Sequence, residues 1–569
     1  MKKVIYRQKN AADFYFGEYP RPQMVRSSYF CLNGDWDFSI DKNNSAPSVY
    51  PFKIRVPFPP ESALSGICKT PDKGEYMHYR RMFSLPENFT EERILLHFGA
   101  SDQITDVYLN GAKIGSNESG YLPFFFDITD KIKNENELIV TALDNLSKDF
   151  PYGKQSKKRG GMWYTPVSGI WQTVWIEAVP ENYIRSLKIQ QTMNSATIEV
   201  EGGVHEKTLI LKETGERYAF CGNSVTITPE NPKLWTPETP YLYEFTIVSG
   251  KDTVESYFAL RKISIQSISD VPRICLNGKP YFIQALLDQG YYPDGLFLPA
   301  TPQGYAADIT KAKAMGYNTL RKHIKIEPLL FYHLCDKLGM IVFQDMVNNG
   351  RYSFIKDTAL PTIGLVKRKD TRMHRSASAR ARFEAGMKNT LQHLYNSPSV
   401  LMYTIFNEGW GQFCADKMFK IAKEADPTRI YDATSGWFWQ KKSDVDSLHV
   451  YFKPLKSQPI SERPLIISEF GGYSLRIKNH TVSEKNYGYK NFSDKESLMD
   501  SLRSLYTQQA LPLVFEGLCG LVYTQIADVE DETNGLLTYD REIEKVDPVE
   551  MNKILARFTA AYQDLTKEK

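Results

Sequence analysis

From about residue 268 onward the chain alternates short apolar runs with stretches of helical spacing, and nothing else in it constrains the fold as tightly. Runs of strand length occupy 281–287, 318–322, 340–344, 400–406, 430–433, 448–451, 465–468 and 518–524. Helical periodicity appears at 302–315, 327–338, 379–395, 416–425 and 496–509. Strands joined through helices run parallel, because the crossover returns the chain to the same end of the sheet. Eight such units predict a (β/α)8 TIM barrel. The same prediction places any site at the C-terminal ends of the strands.

The first half reads differently. Residues 1–180 show short alternating runs, frequent turn residues and no helical periodicity. The run 104–109 leads into Asn110-Gly111, a pair suited to the positive φ angles of a two-residue hairpin. Trp171, Thr173 and Trp175 alternate with Gln172, Val174 and Ile176, as a strand with two distinct faces requires. A jelly-roll β-sandwich of sugar-binding type is the economical expectation. Residues 181–267 carry more short strands and lack the Cys…Trp…Cys framework of antibody domains; an immunoglobulin-like β-sandwich is expected there. The expected architecture is therefore multidomain, with the barrel at 268–569 as the catalytic part.

Charge excludes some functions. The 70 basic and 67 acidic side chains leave a net +3, so neither nucleic acid nor an anionic membrane is expected as partner. No apolar run approaches the roughly 18–20 residues of a membrane span. Residues 1–16 have no signal-peptide core of about 7–15 apolar residues, which points to the cytoplasm. Seven scattered cysteines without a C-x-x-C give no support for a disulfide framework or a zinc site. There is no P-loop and no Gly-rich dinucleotide turn, so no organic cofactor is expected. The basic run Lys154, Lys157, Lys158 and Arg159 reads as a solvated loop. So does the acidic stretch Asp528, Asp531, Glu532, Asn534-Gly535. A homo-oligomer is possible.

Two glutamates stand where barrel strands stop. The fourth run ends in Asn407-Glu408-Gly409-Trp410, and the seventh in Glu469-Phe470-Gly471-Gly472. Glycoside hydrolysis needs two carboxyls, one to protonate the leaving oxygen and one to attack the anomeric carbon or activate water. Glu408 suits the acid/base, with Asn407 placed for the sugar 2-hydroxyl, and Glu469 suits the nucleophile. Candidate sugar contacts are Asp288, His323, Lys325, Asp345, Trp410, Trp437, His449 and Gln525. Each has a structural rival: a turn cap for the aspartates, a solvated or core role for His323 and Lys325. Core packing competes for the tryptophans and His449, and a buried amide for Gln525.

These residues, with Leu32-Asn33-Gly34-Asp35-Trp36, Ser168-Gly169-Ile170-Trp171-Gln172, Phe258-Ala259-Leu260-Arg261-Lys262 and Leu276-Asn277-Gly278-Lys279-Pro280, resemble glycoside hydrolase family 2. That family holds β-galactosidases, β-glucuronidases and β-mannosidases. The resemblance covers nearly the whole chain. It implies a retaining exo-β-glycosidase, galactosidase-like in general plan, with Glu408 as acid/base and Glu469 as nucleophile. It also implies that Arg321 and Tyr451 brace the nucleophile. Departures affect the substrate. Ile324 stands where galactosidases carry the histidine of Arg-x-x-His, and Gln344-Asp345-Met346-Val347 lacks their metal-binding Glu-x-His, so a galactosidase-type Mg site is doubtful. Asn534-Gly535-Leu536 lacks the lysine of the glucuronidase Asn-x-Lys. The first domain has Lys157-Lys158-Arg159-Gly160-Gly161 in place of a long acidic loop. The alternatives are the same chemistry on a glucuronide, mannoside or arabinoside, and a catalytically idle carbohydrate-binding protein.

Overall fold

A computed structural model describes residues 18–566. The leader reading of residues 1–16 therefore lies outside the described residues. Two sheets build the first β-sandwich, one of six strands and one of four. Phe52–Val56, Gly34–Asp41, Tyr76–Phe83, Asn136–Leu143, Ile104–Leu109 and Ala112–Asn117 make the larger. Inward residues Trp36, Phe38, Tyr79, Val107, Val140 and Ile176 close its core. The Asn110-Gly111 hairpin forms as read, with φ +52° and +84°. A second sandwich follows, of three and four antiparallel strands between Ile184–Gln191 and Asp252–Phe258. Its core includes Ile189, Ile198, Leu209, Phe245 and Val254. A buried ion cluster joins the two sandwiches. Glu177 accepts from Arg21 at 2.7 Å and from Arg26 at 3.1 Å, and Arg26 also holds Asp252 of the second sandwich at 2.9 Å.

The barrel strands are β1 (Ile283–Asp288), β2 (Thr319–Lys322), β3 (Ile341–Asp345), β4 (Val400–Asn407), β5 (Ile430–Ser435), β6 (Asp446–Val450), β7 (Leu465–Gly471) and β8 (Leu518–Thr524). They form one parallel sheet in the order β5-β4-β3-β2-β1-β8-β7-β6. Side chains bridge the seam between β5 and β6: Ser447 Oγ donates to the Thr434 carbonyl at 3.4 Å, and Ser435 Oγ lies 2.8 Å from His449 Nε2. Helices Gln303–Ala314, Leu329–Leu338, Ala377–His393, Ala415–Ala425 and Lys495–Ser504 cover the outside, where the sequence places them. The helix Pro548–Thr566 is an addition to the sequence reading; it packs Met551, Leu555 and Phe558 into the outer core.

β4 and β7 extend further than their apolar runs, so Asn407 and Glu469 lie within strands rather than after them. The register of β7 against β8 shifts between Ile467 and Phe470. A bulge of this kind inserts an extra residue and re-aims a side chain. Here it falls at Ser468 and Glu469.

Candidate active site

Arg321, fully buried at the end of β2, organises the site. Its Nε donates to Asp345 Oδ1 at 3.0 Å, and Nη2 to Asn407 Oδ1 at 2.8 Å. Nη1 donates to the Ser468 carbonyl at 2.8 Å and to Glu469 Oε1 at 3.1 Å. One planar fork thus ties β2, β3, β4 and β7 together. The other oxygen of Glu469 accepts from the Tyr451 hydroxyl, which lies 2.9 Å from Thr524 Oγ1. Burial by itself would raise the Glu469 carboxyl, but His449, Arg321, His323 and Lys154 outweigh it and hold the pKa down at about 2. The Tyr451 phenol moves the opposite way, raised first by burial and then by Glu469, and so stays a proton donor.

Glu408 follows β4 with φ +53° and is partly exposed, as a group that meets substrate must be. Its backbone N–H donates to the Ser435 carbonyl at 2.9 Å, and its carbonyl accepts from Trp437 Nε1 at 2.9 Å. His449 stands between the two glutamates. Its Nδ1 lies 2.7 Å from Glu408 Oε1, and its Nε2 3.5 Å from Glu469 Oε1. One carboxylate oxygen from each glutamate falls within 4.8 Å of the other.

The remaining sequence candidates divide. Asp345 supports the site from behind, since its second oxygen is 2.8 Å from His323 Nδ1. Burial, then Lys154, lowers His323 to about 4, so its imidazole is neutral near pH 7. Trp437 borders His449, ring to ring at 5.6 Å. Gln525 is buried beyond β8 and donates to Glu532 Oε2 and Asn534 Oδ1, both at 2.8 Å; its own Oε1 has no partner.

Three candidates are not brought to the sugar site. Asp288 is bound by Lys322 at 2.5 Å and by the Gly290 N–H at 2.8 Å. Lys325 spends its three donors on the Gly290 and Phe297 carbonyls and Glu327, so none is left for a substrate carboxylate. Trp410 is buried in an aromatic cluster with Tyr152, Trp163 and Tyr352 and packs the first domain onto the barrel instead of lying open to a sugar ring.

Both loops read as solvated need correction in part. Asp528, Glu530, Asp531 and Glu532 are buried. Glu530 accepts from the Thr165 N–H at 3.0 Å and from Arg159 at 3.3 Å, so the acidic stretch docks against the first domain. Lys157 and Lys158 are exposed as expected, but Lys154 is half-buried, and its charge helps to lower the Glu469 pKa. Glu532, Asn534, Thr524, Ser435 and Lys154 are the site residues the sequence reading missed. Ser435 and Thr524 end β5 and β8, and the other three come from a loop and from another domain, where periodicity carries no signal.

Two clusters among the described residues bring three ligand-type atoms within 4.8 Å: Glu408 with His449 and Glu469, and surface His480 with Asp540 and Glu542. The first is the carboxylate pair itself. A galactosidase-type Mg site after β3 does not fit, because both oxygens of Asp345 are taken by Arg321 and His323.

Sequence profiles agree with this geometry. The profile described as "Glycosyl hydrolase 2 galactose-binding domain-like" matches residues 72–194, "Glycosyl hydrolases family 2" matches 179–261, and "Glycosyl hydrolases family 2, TIM barrel domain" matches 301–487. The chain belongs to glycoside hydrolase family 2. Among its family 2 relatives, a β-galactosidase of Thermoanaerobacter pseudethanolicus is 25% identical over 341 residues, covering 55% of this chain and 44% of the relative. A putative β-glucuronidase of Formosa agariphila is 23% identical, covering 63% of this chain and 34% of the relative. The chain thus spans less than half the length of these two relatives. Solved structures share the fold. The β-D-glucuronidase of Dictyoglomus thermophilum superposes with a TM-score of 0.74 at 18% identity, covering 95% of this chain and 98% of that one. A family 2 β-galacturonidase of Eisenbergiella tayi bound to galacturonate gives 0.67 at 17%, covering 95% and 99%. No helix among the described residues is long and apolar enough to cross a membrane.

Proposed function

We propose that this family 2 chain is a retaining exo-β-glycosidase acting on terminal β-linked sugars by double displacement. The observation that carries this reading is the spacing of Glu408 and Glu469. One oxygen of each carboxylate comes within 4.8 Å of the other, in keeping with the roughly 5–5.5 Å separation of retaining pairs. Glu469, ionised and held from two sides, attacks the anomeric carbon as the bond to the leaving oxygen breaks. Glu408 protonates that oxygen, then takes a proton from the water that releases the sugar. Asn407, fixed by Arg321, is placed for the 2-hydroxyl. The first-domain segment 152–165 and the loop after β8 wall the barrel mouth, which favours attack at chain ends.

Glu469→Gln is expected to lower turnover of aryl β-glycosides by about 10⁴-fold or more. Rates near wild type in that variant would remove Glu469 from the mechanism. Glu408→Ala with added azide should give the β-glycosyl azide; an α-azide product, identified by NMR, contradicts retention.

A further inference from the structure

We infer that Lys154 is the specificity residue of this site and that it recognises a carboxylate on the sugar, so that the preferred substrates are β-uronides. The inference rests on Glu408 and Glu469 being the reacting pair.

Lys154 belongs to the first sandwich, yet its loop is clamped over the barrel. The N–H groups of Tyr152 and Gly153 donate to the Asn348 carbonyl beyond β3, at 3.0 and 3.4 Å. Gly153 has φ +59°, and a Cβ there would stand 3.0 Å from the Ile324 carbonyl beyond β2. On the other side, the Lys154 carbonyl accepts from the Tyr164 N–H at 3.0 Å. Buried Gln155 anchors the loop again through the Tyr121 hydroxyl and the Val167 N–H, at 2.9 and 2.6 Å. With the backbone fixed at both ends, the side chain needs little ordering to engage a ligand, and recognition gains from such preorganisation.

Other cations of the barrel mouth are committed: Arg321 to Asp345, Asn407, Ser468 and Glu469, Lys325 to Glu327, and Arg159 to Glu530. The contact shown for Lys154 Nζ is the face of Tyr164, 5.8 Å from the ring centroid. Among the described residues it has no hydrogen bond and no ion pair. Its charge nevertheless acts on Glu469 on β7, His323 beyond β2 and Glu532 beyond β8. Glu532 is buried, raised in pKa first by that burial, and already bonded to Gln525. His323 is neutral near pH 7. A positive charge is therefore left over beside the nucleophile. A neutral sugar does not answer it, whereas a sugar carboxylate does, through a charge-assisted hydrogen bond.

The test compares nitrophenyl β-galacturonide with β-galactoside, and β-glucuronide with β-glucoside, on wild type, Lys154→Gln and Lys154→Arg. Wild type is expected to favour a uronide over its neutral counterpart. Lys154→Gln should lower the uronide-to-neutral ratio of kcat/KM by about 10- to 100-fold, mainly through KM. Lys154→Arg should keep most of that ratio. Turnover of neutral glycosides with the uronides inert overturns this inference and leaves the glycosidase reading standing. So does a Lys154→Gln variant that loses equally on both classes. Absence of turnover on every glycoside overturns both.

Discussion

Glu469 is a buried carboxyl that burial should neutralise, and it stays charged because Arg321, His449 and Tyr451 converge on it. With its pKa near 2, protonation of Glu469 cannot set the acidic limb of the rate profile at ordinary pH. Arg321→Gln removes a lowering charge, so the Glu469 pKa rises and the acidic limb of kcat/KM moves to higher pH. A profile from pH 3 to 8 measures this, and an unmoved limb contradicts it. Tyr451→Phe deletes one donor to Glu469 while keeping the ring. Loss of one such preorganised donor costs on the order of 10²–10³ in kcat. Steady-state kinetics on the purified variant decides it, and a loss under threefold would show that the bond is structural only.

Elements decide whether these residues meet. Asn407 and Glu469 point inward because β4 and β7 run past their apolar cores, and the shift in β7 re-aims Glu469. At the seam the barrel lacks a ladder between β5 and β6, and the gap is filled by Ser435 and His449. The turn after β5 must stay slim there. Gly436 has φ +89°, and a Cβ would lie 2.9 Å from the His449 ring. Gly436→Ala is therefore expected to displace His449 from Glu408, lowering kcat at least tenfold. The backbone strain should cost about 1–3 kcal/mol besides. Kinetics and thermal denaturation of the same sample test both, and full activity would show that the ring yields without consequence.

The molecule as a whole is held by buried charge at its joints. Between the sandwiches, Glu177 is drawn well below its ordinary value of 4.5, against burial, by Arg21, His97 and Arg26. A carboxyl whose pKa is lower in the folded state stabilises it above the ordinary value and ceases to do so as pH falls through the folded value. Stability should therefore decline below about pH 4.5. Glu177→Gln leaves buried Arg26 and half-buried Arg21 without that partner, and should destabilise the protein by about 3–5 kcal/mol near neutral pH. Denaturant unfolding at pH 7 and pH 4 measures the difference, and equal stabilities of variant and wild type at pH 7 would dismiss the cluster as a strut. A second joint, between Glu530 and the first domain, positions the wall of the site that includes Lys154.

Local pattern reports what a segment does by itself, and that much was legible in the chain. Alternation of apolar runs and helical stretches determined the barrel. Hydrophobic alternation and turn residues determined two sandwiches, and the strand-end glutamates with Asn407 determined a candidate pair. Arg321 and Tyr451 followed from the family resemblance and are brought to Glu469. Tertiary structure alone decided which polar residues are spent internally. Lys325, Asp288 and Trp410 read as site residues from their positions, but long-range partners claim them. Lys154, Glu532 and Asn534 read as loop residues, yet Glu532 and Asn534 are buried against Gln525 and Lys154 acts on Glu532, because packing one domain over another brings together segments hundreds of residues apart. No period in the sequence records a contact of that kind. The paired glutamates were therefore visible from the chain, and the lysine proposed to select the sugar only from the fold.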